Sequence, residues 1–267
     1  MAKMSVRRKL AIASYSPPRE GNIYGKLVVD AGPGLRYLDE VRQKTGEKVS
    51  FTHLVGRAVA EALRQAPTLN GRIVFGTFEP FPTVDIAFLV ALEDGQDLAK
   101  AKVCDVDKKS VVEIARELAS KSGKLRASSD QAYEKSKQAI RMMPTWALKP
   151  MLGVTGFLAS GLGLSIPALG VEPFPFGSCI VTSVGMFGLE EGFVPPTPFT
   201  RVPVYILVGA VKDRPAVVDG KVQIQPQLTI TATIDHRFID GAQLAILSKV
   251  VKSILENPWQ LEPKQAS

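Results

Sequence analysis

The chain has 267 residues, 45% of them hydrophobic, enough for a substantial core in one large domain, and its composition excludes a disordered or collagen-like protein. A formal net charge of +7 favours anionic partners such as phosphorylated cofactors, acidic proteins or anionic lipid, with plain solubility an equally good reading of the charge alone. No dense Lys/Arg tract interleaved with aromatics occurs, which argues against nucleic acid.

In chain order, 23–31 reads as a strand and 34–46 as a helix stopped by Gly46. Ser50 is placed to cap the next helix, in which Phe51, Leu54, Val55, Ala58, Val59, Ala62 and Leu63 form a helical stripe ended by Pro67. Segments 71–78 and 83–92 read as strands, and 110–123 as a helix opened by the capping-box pair Ser110 and Glu113. Segment 130–143 reads as helix, and 178–184, 202–211, 216–225 and 227–235 as strands, with Asp219-Gly220 a hairpin signal. A last helix is expected at about 240–256. Helices and strands mix without a βαβ repeat, which gives an α+β class.

Residues 151–171, "MLGVTGFLASGLGLSIPALGV", carry no charge over 21 positions. That length matches a bilayer span, although Pro167 and the glycines weaken such a reading. A membrane span, a lipid-contacting surface insertion, and a buried or oligomer-contact insertion all stay open. Cys104 and Cys179 make neither a disulfide framework nor a C-x-x-C motif, which fits a reducing compartment. The N-terminus lacks the apolar core and cleavage site of a secretion signal. The expected location is the cytoplasm, with membrane association as the alternative that 151–171 allows.

The chain has two histidines. His53 lies off the apolar stripe of its helix and reads as exposed. His236 stands in "TATIDHRFIDGAQ", where a strand delivers it to its own end beside Asp235, Asp240 and Gly241. An imidazole there can act as a base near neutral pH if a hydrogen bond fixes its tautomer. Gly241 permits a tight turn or a close approach. On these residues alone, a structural histidine is as good a reading as a catalytic one.

The spacing H-x-x-x-D-G, from His236 through Asp240 and Gly241, sits within "DHRFIDGA", which resembles the signature of the dihydrolipoamide acyltransferase component of 2-oxo-acid dehydrogenase complexes. Chloramphenicol acetyltransferase shares that motif and fold. Further segments carry the likeness: "RRKLAIASYSPP" resembles the family's "RKxIAxxM" helix, and 49–73 a helix ending in "P-x-L-N". "CIVTSVGMFG" resembles "FTISNLGMFG", and "PVYILVGAVKDRPAV" the "AILAVGA" strand. The resemblance leaves out only about 125–176.

The resemblance implies a chloramphenicol acetyltransferase-like fold, a mixed central sheet flanked by helices, in a trimer-forming subunit. It implies that His236 takes a proton from a thiol of coenzyme A or dihydrolipoamide, so that the thiolate attacks a thioester. Thr182 takes the family's serine position as oxyanion donor, with Ser183 beside it. Asp240 inherits a structural role, with Arg8 as its expected arginine partner. The family's active site lies between subunits, so His236 and Thr182 are not expected to meet within one chain.

Three departures follow. No lipoyl domain, subunit-binding domain or Pro/Ala-rich linker is recognisable, so a lipoyl group is expected only from a partner protein. An apolar insertion at about 125–177 interrupts what otherwise reads as one acyltransferase domain over 1–267, and "GLEEGFVPPTPFTRVPV" replaces the usual loop. Three readings remain: a coenzyme A-dependent acyltransferase, a scaffold that assembles trimers into a cage, and a lipid-associated relative whose 151–171 segment contacts acyl chains.

Overall fold

The computed structural model describes residues 21–92, 97–127 and 129–262. The expected partner Arg8 and the segment 7–18 lie outside them.

A mixed six-stranded sheet, ordered β1-β8-β7-β6-β4-β5, forms the centre. Its strands are β1 (Asn22–Asp30), β4 (Ile86–Leu92), β5 (Asp97–Val103), β6 (Cys179–Ser183), β7 (Val204–Val218) and β8 (Lys221–Asp235). The β6 strand runs parallel to both neighbours, and the outer pairs are antiparallel. The α+β expectation holds.

Helices α1 (Gly32–Thr45), α2 (Phe51–Gln65), α3 (Val111–Arg126) and α6 (Gly241–Glu256) contribute to one core with alternate strand residues. Val204, Ile206 and Val208 of β7 and Ile230, Ala232 and Ile234 of β8 face it. The α2 stripe is buried as its spacing predicts, with Leu54, Val55, Ala58, Val59, Ala62 and Leu63 all fully covered. Gly56 lets Phe88 press on this helix, because a Cβ there would lie 2.5 Å from the ring.

The other sheet face is more polar. Thr229, Thr231 and Thr233 alternate with the core residues of β8 and are buried. The segment after "GMFG" is stitched to this part of the sheet by several bonds. The Ala210 N–H donates to the Leu189 carbonyl, the Thr231 hydroxyl to the Gly192 carbonyl, and Arg214 pairs with Glu190 and Lys26 with Glu191. A bulge between Val208 and Val211 makes room, and only glycine fits at 209, where a Cβ would meet the Glu190 carbonyl.

Several expectations need correction. Segment 71–78 is no single strand but the start of a hairpin, β2 (Gly71–Val74) and β3 (Thr77–Pro80). Phe75 and Gly76 make its turn with φ of 50° and 77°, a role that phenylalanine does not advertise. The β5 strand was not anticipated; Ala99, Ala101 and Val103 are buried in it, while Lys100 and Lys102 reach out to carbonyls of residues 173–175. The three late strands are two long ones, joined at Asp219-Gly220 with φ of 50° and 75°, as the hairpin signal predicts.

The uncharged stretch begins in helix α5 (Thr145–Gly156), preceded by α4 (Gln131–Met142) and followed by a single wide turn over Phe157–Gly161. Among the described residues no helix is long and apolar enough to cross a membrane.

His53 is also corrected. It is half-buried at the third position of α2, where the Ser50 N–H donates to its Nδ1 at 3.0 Å in a capping box. Burial lowers its pKa from 6.5 to about 4. Between those values the unfolded chain binds the extra proton, so stability should fall as pH drops through that window, by up to about 3 kcal/mol. In urea unfolding at pH 7 and pH 5, His53→Gln, which keeps an acceptor for the cap, should remove part of the wild-type loss. Equal pH sensitivity in both proteins would clear His53 of this role.

Candidate active site at the end of β8

The β8 strand ends at Asp235, and the chain turns through His236–Asp240 into α6. Each side chain of the turn has a task. Phe238 and Ile239 are buried and anchor it, and Phe238 packs edge-on against Phe78 at 6.2 Å. The Asp235 carboxylate accepts from the Arg237 backbone N–H at 2.9 Å and from its guanidinium. Asp240 caps α6, accepting from the N–H groups of Ala242 and Gln243, while Gln243 accepts from the Asp240 N–H. Within the described residues Asp240 acts as a helix cap. Gly241 simply opens the helix: its φ is not left-handed and a Cβ would meet nothing within 4 Å of this chain. The expected tight turn at Gly241 is not what the fold uses.

His236 itself is exposed, and its backbone N–H donates to the Gly21 carbonyl. Its Nδ1 lies 2.6 Å from the Ile239 carbonyl. A carbonyl only accepts, so the proton resides on Nδ1 and the lone pair on Nε2. The fixing group is thus a backbone oxygen three residues on, rather than either of the flanking acids.

Thr182 and Ser183 end β6. By strand alternation Thr182 faces the polar side with Ile180, and Ser183 faces the helices. Ser183 lines an open groove of about 400 Å³ together with Ser50, Phe51, Thr52, Met186 and Lys212. Thr182 pairs with Leu207, and Leu207 with Thr231, five residues before His236. At ~4.8 Å per strand and ~3.3 Å per residue, Thr182 and His236 are roughly 19 Å apart. One chain does not bring them together.

The insertion reaches the His236 end of the sheet. Phe157 packs edge-on against Phe75 at 5.9 Å and lies under the Arg201 guanidinium at 5.2 Å. Arg201 takes a left-handed φ of 56°, and burial, with Arg237 nearby, disfavours its charged form. The two thiols are free, and burial raises the pKa of each, so neither Cys104 nor Cys179 is poised as a nucleophile.

The model of the 2-oxoacid dehydrogenases acyltransferase catalytic domain matches residues 28–140 and 168–262. The chain belongs to this family. Within this acyltransferase family, a probable dihydrolipoyllysine-residue succinyltransferase component of the mitochondrial 2-oxoglutarate dehydrogenase complex of Schizosaccharomyces pombe is 24% identical over 237 residues. That alignment takes in 85% of this chain and 41% of the relative, so the chain spans less than half of the relative's length. A probable dihydrolipoamide acetyltransferase from Listeria monocytogenes 4b F2365 shares the fold, with a TM-score of 0.66, 20% identity, and coverage of 93% of this chain and 88% of that one. A chloramphenicol acetyltransferase superposes with a TM-score of 0.51 at 14% identity, over 95% of this chain and 96% of that one. The acyltransferase match includes the turn that carries His236 and breaks at 141–167, which contains α5 and the wide turn after it.

Proposed function

We propose that this protein moves an acyl group between coenzyme A and a thiol acceptor such as dihydrolipoamide. The carrying observation is the imidazole of His236, exposed, with Nδ1 bonded to the Ile239 carbonyl and Nε2 left as the basic nitrogen. In this reading Nε2 takes the proton of the attacking thiol. An ordinary thiol has a pKa near 8.5, so a base supplies the reactive thiolate at neutral pH. The thiolate adds to the thioester carbonyl, and the oxyanion of the tetrahedral intermediate accepts a hydrogen bond from the Thr182 hydroxyl. Collapse expels the second sulfur as thiolate, which recovers the proton from the imidazolium.

Because Thr182 and His236 of one chain stand far apart, the hydroxyl comes from a neighbouring subunit, and the working unit is a homo-oligomer, a trimer or an assembly of trimers. A lipoyl group, where it takes part, is carried by a partner or by another part of the polypeptide. The test is acyl transfer from acetyl-CoA and succinyl-CoA to dihydrolipoamide, followed by release of the coenzyme A thiol. Turnover with either donor supports the reading. No thiol release by an oligomeric, folded sample would reject it.

A further inference from the structure

We infer that α4 and α5 together form a docking surface for an anionic lipid bilayer, on which the protein lies without spanning it. The first observation is exposure. Met142 is 78% exposed, Trp146 81% and Val154 59%, although these are large apolar side chains. They are ordered along the two helices. On α4, Lys135, Gln138 and Met142 share one exposed face; on α5, Trp146, Lys149, Pro150, Gly153 and Val154 share another. The opposite side of α5 is accounted for, since Leu148 and Leu152 bury themselves against Ile140, Met143, Met151 and Phe199. The exposed face is therefore not a core face left open.

The second observation is charge. Helices α4 and α5 carry Lys135, Lys137, Arg141 and Lys149 against one acid, Glu134 in the first turn of α4. Lys135 and Lys149 are exposed on the same faces as Met142 and Trp146. Exposed apolar groups with an indole among them, rimmed by cations of one sign only, suit a headgroup layer of negative charge. A protein partner of ordinary mixed surface would not require four cations against one acid beside these apolar groups. At its far end the insertion touches Arg201 and Phe75 through Phe157, so the bilayer would lie on the element that flanks the His236 end of the sheet.

The experiment is cosedimentation of the whole chain with vesicles of phosphatidylcholine alone and of phosphatidylcholine mixed with phosphatidylglycerol. Tryptophan emission and light scattering are recorded alongside. Wild type should pellet with the mixed vesicles, be released by salt, and show a blue shift. Met142→Ser/Trp146→Ser should lose both signals while keeping its circular dichroism. Each cation near an anionic surface is worth about fivefold in partitioning, so Lys135→Gln/Lys149→Gln should bind about 25-fold more weakly. The inference is overturned if wild type ignores the mixed vesicles, or if both double variants bind as wild type does. It is also overturned if the serine variant only reduces particle mass, which would give this face to another copy of the chain. Acyl transfer with soluble substrates should stay unchanged in both variants.

Discussion

His236→Ala should lower kcat for acyl transfer by about 10²–10⁴-fold, with KM for the acyl donor little changed. The residue is exposed and packs no core, so the variant should fold and assemble as wild type does. The size of the loss follows from the tautomer. Nε2 is the only nitrogen of the ring with a lone pair, because the 2.6 Å contact commits Nδ1 to the Ile239 carbonyl. No neighbouring side chain of the turn can substitute, since Asp235 is engaged by Arg237 and Asp240 caps α6. The measurement is steady-state transfer on samples matched for mass by light scattering. Equal rates for the two proteins would remove His236 from the mechanism.

The second large effect belongs to Thr182. Thr182→Val keeps the shape of the side chain and deletes the hydroxyl, and loss of one oxyanion donor costs about 10²–10³-fold in kcat. Its sharper use is in combination. Neither Thr182→Val nor His236→Ala should be active alone, but subunits of the two, mixed by unfolding and refolding together, should regain turnover. With random assembly about one site in four pairs an intact histidine from one chain with an intact threonine from its neighbour, which sets the expected recovery. With Thr182 as the donor, the separation of roughly 19 Å within a chain leads to this expected outcome. A mixture as inactive as its parents would mean that each chain supplies its own oxyanion donor or none.

Much of this architecture was legible in residue order. The α2 stripe and the Asp219-Gly220 turn each present their physical cause directly, as an apolar period or a pair of residues suited to positive φ. The hairpin at Phe75 was hidden because a bulky residue occupies its turn, and β5 because alternating alanine and lysine carry little apolar signal. Pro215 and Pro226 fall inside long strands and made one hairpin read as three segments. His53 read as exposed because it is off the stripe, yet its ring closes the cap at Ser50. At the candidate site, the H-x-x-x-D-G spacing singles out the turn that carries His236, but not the group that orients its ring. That group is a backbone carbonyl, and every residue has one, so no side chain announces it.

The aim of the imidazole is set within four consecutive residues, by an oxygen that no side-chain replacement deletes. Point changes at position 239 alter how firmly the turn is seated without removing the acceptor. Side-chain changes on the surrounding sheet face, in the loop after "GMFG" or on α4 and α5 therefore leave the acceptor of the His236 ring in place.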